Sequence, residues 1–171
     1  MGKRNNTGDL VLSGKQFLNQ RNFQEARNCF KKAIKQDSNH PEAQYLLGMI
    51  YAQQDQAIIA IKHISKAVKL APNEMNFALN LANLCGKNGQ FEKAIVNYET
   101  YLSATPNNPE VLFYYASTLM QNNQYEKAVA AFSKSIDINP KELIAHLTLG
   151  DLHYNNLNYV CTQPKQLRLN F

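Results

Sequence analysis

One interval governs this chain, and it is 34 residues long. Ala26, Ala60, Ala94 and Ala128 stand 34 apart, and their surroundings travel with them. Residues 88–95 read Asn-Gly-Gln-Phe-Glu-Lys-Ala-Ile, and residues 122–129 return as Asn-Asn-Gln-Tyr-Glu-Lys-Ala-Val. Residues 22–26 and 57–72 fall into the same columns. A repeat of this period is a helix–turn–helix unit that cannot bury both faces alone, so units stack and no single central core is needed. The period therefore predicts an all-α fold built of antiparallel helix pairs.

Within each unit the apolar residues keep helical spacing. Leu10, Gly14, Phe17 and Leu18 form the stripe of a first helix, capped by Thr7 or Asp9. Phe23, Ala26, Phe30, Ala33 and Ile34 form that of a second. Pro41 suits the first position of the helix after that, and Pro72, Pro106 and Pro140 close later units by denying the helix an N–H donor. Small residues recur where helices must cross closely: Gly14, Gly48, Ala82, Ala116 and Gly150 in the first helices, and the four alanines in the second. Ala57 replaces the aromatic of Phe23, Phe91 and Tyr125, which predicts a less fully packed turn.

These columns resemble the tetratricopeptide repeat family. The resemblance rests on the small residue at Gly48, the aromatic at Tyr51, the alanine at Ala60, the aromatic at Phe132 and the proline at Pro72, and it covers about residues 7–156. Departures are Leu10, Gln44, Ala78 and Leu112 in a column where tryptophan is expected, Ser38 for proline, and Tyr101 and Ser135 at small positions. The resemblance implies a right-handed superhelical solenoid of about four and a half repeats, its inner surface lined by first helices. The units run 7–40, 41–74, 75–108 and 109–142, with a partial unit at 143–156, a basic lead-in at 1–6 and an irregular tail at 157–171.

The fifth unit breaks the pattern. Leu149 and Gly150 stay in register and Tyr159 reaches the aromatic column, but Pro164 falls inside the required second helix. Leu147, Leu149, Leu152, Tyr154 and Leu157 make its first helix more apolar than a terminal cap needs. Either of two outcomes is expected: a shortened or alternatively ended form of a longer array, or a tail that folds back through Leu167, Leu169 and Phe171. The same apolar helix offers a surface for self-association.

Composition narrows the function. An apolar share of 44% excludes wholesale disorder. No apolar run approaches the roughly 18 residues that cross a bilayer. The first nine residues lack a signal-peptide core, and Asn6 spoils the myristoylation motif begun by Gly2, so the expected location is cytoplasmic. Cys29, Cys85 and Cys161 form no C-x-x-C pair, and His146 and His153 have no third ligand in view; neither set predicts a metal or a disulfide framework. No catalytic or phosphate-binding motif is present, so neither catalytic residues nor a cofactor are expected.

Binding of a protein or peptide is the expected function. Opposite the packing stripe, at about 100° per residue, the first helices present Lys15 and Asn19, then Tyr45, Met49 and Gln53, then Asn80, Asn83 and Lys87, then Phe113, Tyr114, Ser117 and Gln121. Val11, Leu18, Leu79, Thr148, Asp151 and Asn155 share that face. Amides there can donate to and accept from a peptide backbone, and aromatics anchor binding hot spots. The Lys and Asn clamp of chaperone-tail binders is missing, because its columns hold Val11, Lys15, Leu46, Asn76 and Asn80. The asparagine ladder of O-linked N-acetylglucosamine transferases is matched only at Asn80. An alternative reading is the docking arm of a larger enzyme such as a glycosyltransferase or sulfotransferase. A second alternative is binding of nucleic acid or an anionic surface through a basic N-terminal convex face: of a net +5, residues 1–69 carry 11 basic and 5 acidic side chains, with Arg27, Lys31, Lys35, Lys62, Lys66 and Lys69 on outward-facing second helices. Nucleic acid is disfavoured there, since no aromatics are interleaved with the lysines.

Overall fold

The computed structural model describes residues 6–141 and 146–151. These contain eight helices: α1 (Thr7–Asn19), α2 (Phe23–Gln36), α3 (Pro41–Gln53), α4 (Ala57–Leu70), α5 (Met75–Lys87), α6 (Phe91–Ala104), α7 (Pro109–Gln121) and α8 (Tyr125–Ile138). Residues 146–151 are also helical, and no strand occurs among the described residues. The chain divides into two compact units, Met1–Ala104 with α1 to α6 and Thr105–Phe171 with α7 and α8. The expectations for Leu152, His153, Tyr154, Asn155, Leu157, Cys161 and the 157–171 tail lie outside the described residues.

Local chemistry sets the helix ends. Asn6, rather than Thr7 or Asp9, caps α1: its Oδ1 accepts the Asp9 N–H at 3.0 Å while the Asp9 carboxylate accepts the Asn6 N–H. Asp9 has the right charge for the helix start but sits at the third position, so it completes a capping box. Asn22 and Asn108 cap α2 and α7 through Oδ1. His40 caps α3 by accepting the Ala43 N–H on Nδ1, and Pro41 follows at the first turn. Between the helices of each pair one residue has positive φ: Arg21, Asp55, Gly89 and Asn123, again 34 apart. Such a residue reverses the chain within a short turn, and glycine or asparagine bears it with least strain.

The helices pack as the pairs α1/α2, α3/α4, α5/α6 and α7/α8, and α2/α3 and α4/α5 join successive pairs of the first unit. Ala26, Ala60, Ala94 and Ala128 are fully buried, as are Ala82 and Ala116. The glycine column shows why: a Cβ on Gly14 would lie 2.5 Å from a Phe30 ring carbon, and one on Gly48 2.6 Å from Ile64 Cγ1. Gly150 is different, because no described atom lies within 4 Å of a Cβ there. Phe30, Leu47, Ile64, Leu119 and Phe132 fill the spaces beside these crossings.

The departures from the repeat pattern have local explanations. Ser135 is buried and donates its hydroxyl proton to the Pro109 carbonyl at 2.7 Å, joining α8 to the start of α7. Gln44 is 3% exposed, in the column where tryptophan is expected. Its Nε2 donates to the Ser38 carbonyl at 2.9 Å and its Oε1 faces His63 Nδ1 at 2.7 Å. The amide is thereby oriented, so the carbonyl oxygen accepts and His63 carries a proton on Nδ1. Two departures, Gln44 and Ser38, thus meet in one hydrogen-bonded chain. At the turn columns, Ala57 is half-buried, while Tyr125 is exposed and donates its hydroxyl proton to Asn123 Oδ1.

Candidate functional site

In the first unit, side chains from α1, α3 and α5 touch along the face predicted to be open. The Lys15 ammonium pairs with the Glu42 carboxylate, linking α1 to α3. Both side chains are more than a third exposed, so solvent and salt weaken this link. The next link is aromatic: Tyr45 on α3 stacks on Phe77 of α5, ring centres 4.1 Å apart and planes 17° from parallel. Asn80 Nδ2 then donates both to the Tyr45 hydroxyl oxygen at 2.9 Å and to the Asn76 carbonyl at 2.7 Å. One turn further along α5, Asn83 Oδ1 accepts the Tyr98 hydroxyl proton at 2.6 Å.

These bonds leave defined capacity for a ligand. Asn80 keeps its Oδ1 acceptor, Tyr45 its hydroxyl proton and Asn83 its amide N–H groups. Burial pushes the Tyr45 phenol above its ordinary pKa, although the Asn80 hydrogen bond acts the other way. At neutral pH the hydroxyl is therefore a donor. Met49 is half-buried one turn beyond Tyr45 on α3, and Asn19, Gln53 and Lys87 are exposed at the ends of α1, α3 and α5. Val11 is expected on this face but is only 4% exposed; it joins the core cluster containing Ala43 and Leu47.

The second unit carries the remaining predicted residues on α7. Phe113 packs edge-on against Phe132 of α8 at 5.5 Å and against Tyr114 at 5.8 Å. Phe113 is thus partly a packing residue, whereas Tyr114 is exposed. Ser117 turns its hydroxyl proton back to the Phe113 carbonyl at 2.9 Å, and Gln121 is exposed.

Which partners these side chains choose is not written in their spacing. Tyr45 and Asn80 are 35 residues apart, one repeat plus one position, and periodicity can mark them as neighbours. Phe77 is a residue that sequence reasoning misses: it belongs to no column of the open face, and nothing in the repeat announces its stacking on Tyr45. Elsewhere, burial raises the pKa of the Cys29 and Cys85 thiols, outweighing the pull of Lys32 and Lys93 respectively. Neutral thiols of this kind are poor nucleophiles. Among the described residues no three His, Cys, Asp or Glu side chains converge, and no helix is long and apolar enough to cross a membrane.

Known proteins share this architecture. A family model described as tetratricopeptide repeat matches residues 12–74, and one described as anaphase-promoting complex, cyclosome, subunit 3 matches residues 87–159. Comparison with curated proteins gives no match. Among solved structures, the chain resembles MamA from Desulfovibrio magneticus RS-1 with a TM-score of 0.78 at 22% identity, over 94% of this chain and 90% of that one. It resembles YrrB, described as a TPR protein with an unusual peptide-binding site, with a TM-score of 0.73 at 19% identity, over 90% and 76%. It also resembles a chain of the APC/C hetero-tetramer Cut9-Hcn1, with a TM-score of 0.67 at 18% identity, over 86% and 30%. At these identities the likeness establishes the fold: antiparallel helix pairs in a repeat solenoid.

Proposed function

Because the chain belongs to the tetratricopeptide-repeat family, we propose that it is a non-catalytic scaffold that holds a segment of another protein against its first helices. The observation that carries this reading is the Tyr45–Phe77–Asn80 cluster. It fixes an aromatic surface in place and leaves one acceptor and one donor uncommitted beside it. A peptide backbone offers the complementary pair at every residue, so Asn80 Oδ1 takes a backbone N–H while the Tyr45 hydroxyl donates to a carbonyl. The amide of Asn83 adds a donor one turn away. Because the side chains are already bonded to one another, a ligand orders few of them on arrival, which lowers the cost of binding.

Lys15 and Lys87 bear on charge preference, Asn19 and Gln53 add amide donors and acceptors, and Met49 supplies an adaptable apolar contact. Phe113, Tyr114, Ser117 and Gln121 extend the same columns in the second unit. The peptide-binding site named for YrrB and the hetero-tetramer named for Cut9-Hcn1 support a partner made of protein.

Selection of 12-residue peptides from a displayed random library, followed by titration of the winners, tests the proposal. Asn80→Ala and Asn83→Ala should each weaken binding about tenfold, the effect of losing a hydrogen bond that a bound backbone needs. Winners whose affinity is unchanged by both substitutions place the ligand elsewhere and overturn the reading.

A further inference from the structure

The second helices of the first two repeats differ from the others in charge. α2 carries four basic residues and one acid, Glu25, and α4 carries Lys62, Lys66 and Lys69 with no acid. α6, by contrast, has Glu92 and Glu99 against Lys93, and α8 is balanced. A solubilising surface needs charge but has no reason to load such an excess of one sign onto the second helices of two adjacent repeats.

The structure brings these cations together. Lys31 of α2 lies over the Tyr51 ring, 5.8 Å from its centre, and Tyr51 stacks on His63 of α4 at 5.7 Å. The His63 imidazole feels Lys31, Lys62 and Lys66 at once; burial is the larger cause of its depressed pKa, and the three ammonium groups add to it. Lys31 and Lys62 are exposed. The ion pair found among the described residues is Lys15 with Glu42, so none of these three lysines is neutralised by a carboxylate there. Ile58 completes the arrangement. It is 78% exposed, one turn before Lys62, on the stripe that continues through Lys66 and Lys69.

We propose that the outward face of α2 and α4 is a second docking surface, separate from the first-helix face, for an acidic polypeptide segment with an apolar residue next to its carboxylates. The carboxylates meet Lys31, Lys62 and Lys66, and the apolar side chain covers Ile58. Charge complementarity selects the partner's sign, and Ile58 selects a polypeptide. Single-stranded nucleic acid fits less well, because it needs open aromatic faces on which bases stack. The aromatic at this patch, Tyr51, is itself buried, with Lys31 over its ring and His63 stacked on it. The described lead-in to α1 and the 146–151 helix bring no run of acids that could cover the patch from within the chain.

The test uses the full chain and three labelled probes of equal charge: an Asp/Glu 12-residue peptide containing one leucine, the same peptide with serine for leucine, and a single-stranded oligonucleotide. The leucine peptide should bind tightest, with affinity falling as salt rises, and it should shift the His63 ring signals in an NMR titration. Replacing Lys31, Lys62 and Lys66 together by glutamine should weaken it about tenfold or more, as expected when a complementary charge patch is erased. Replacing Lys127, Lys134 and Lys141 by glutamine removes the same charge elsewhere and should leave binding unchanged. Ile58→Ser should abolish the preference for leucine over serine. All these side chains lie outside the core, and helix content by circular dichroism checks that each variant folds. No binding at low salt, tighter binding of the oligonucleotide, or equal losses from both lysine triplets overturns the proposal. Failure of groove-directed peptides has no bearing on it, since none of the substituted residues lies on a first helix.

Discussion

At the scale of single residues, one column of the repeat predicts opposite outcomes for the same substitution. Gly→Ala inside a helix ordinarily gains about 1 kcal/mol in propensity. At Gly14 and Gly48 the new methyl group meets Phe30 or Ile64 far inside contact distance. Overpacking of that kind costs about 1–3 kcal/mol, so both substitutions should lower stability in urea denaturation. At Gly150 space is open among the described residues, and alanine should be neutral or stabilising by up to about 1 kcal/mol. Gly89→Ala should cost about 1 kcal/mol, because φ there is +72° and a Cβ makes the left-handed conformation costly.

His63 gives a residue-scale prediction in pH. Its pKa in the folded chain is depressed, first by burial and then by Lys62, Lys31 and Lys66. The unfolded chain therefore binds a proton more readily in the window between the folded and the ordinary histidine values. Stability from this residue is complete above the ordinary value near 6.5. It falls as pH drops through that value and levels off below the folded pKa. A denaturation series from pH 7.5 to 5 should show this loss, and His63→Gln should flatten the difference. How much of this is legible in the sequence depends on what repeats. Small and large residues at the crossings recur every 34 positions, so the sequence shows them directly. Gln44, His63 and Ser38 do not recur, and their bonding depends on which way an amide points, which no periodicity records.

At the scale of helices, end chemistry can be separated from packing. Asn22 and Asn108 each accept a backbone N–H at a helix start. Replacing either by alanine should cost about 1 kcal/mol. Gln56 makes no side-chain cap bond, so Gln56→Ala should cost little, while Gln56→Asn offers α4 a cap and should stabilise it. Thermal melts of these variants would rank them. Helix boundaries are largely legible, because proline and asparagine punctuate them. The cap of α1 is less so, since Asn6, Thr7 and Asp9 all suit the role and only backbone geometry chooses Asn6. Arg21 and Asp55 hold the same left-handed turn as Gly89 and Asn123, yet neither residue type announces it. Periodicity alone identifies those two turns.

At the scale of the whole molecule, stability is spread along the chain in local contacts. Phe30 and Phe132 are fully buried aromatic side chains of the α1/α2 and α7/α8 hairpins. Phe→Ala at either site should cost about 3–5 kcal/mol. In a repeat protein the damage stays near its source. Hydrogen exchange should show Phe30→Ala loosening α1 and α2 while α7 and α8 keep their protection, and Phe132→Ala the reverse. The candidate site is legible only in outline at this scale. The sequence identifies which faces are available, since the packing stripe leaves them over. It does not show that Lys15, Tyr45, Asn80 and Asn83 already hold partners within the chain, so the capacity left for a ligand is single donor and acceptor atoms rather than whole side chains.

The left-handed residue at the same place in each of four turns bears on how such a chain can be edited. Because every hairpin reverses at an identical step, excising residues 41–74 would join Arg21's unit to Gly89's without disturbing the cadence of the later repeats. Excising one residue fewer would leave a surplus residue in the turn between α2 and α5 and break the 34-residue interval at that single junction. That 34-residue cut would take away Tyr45 together with Ile58, Lys62 and Lys66, and so both proposed docking surfaces at once, while the hairpins of the other repeats are kept.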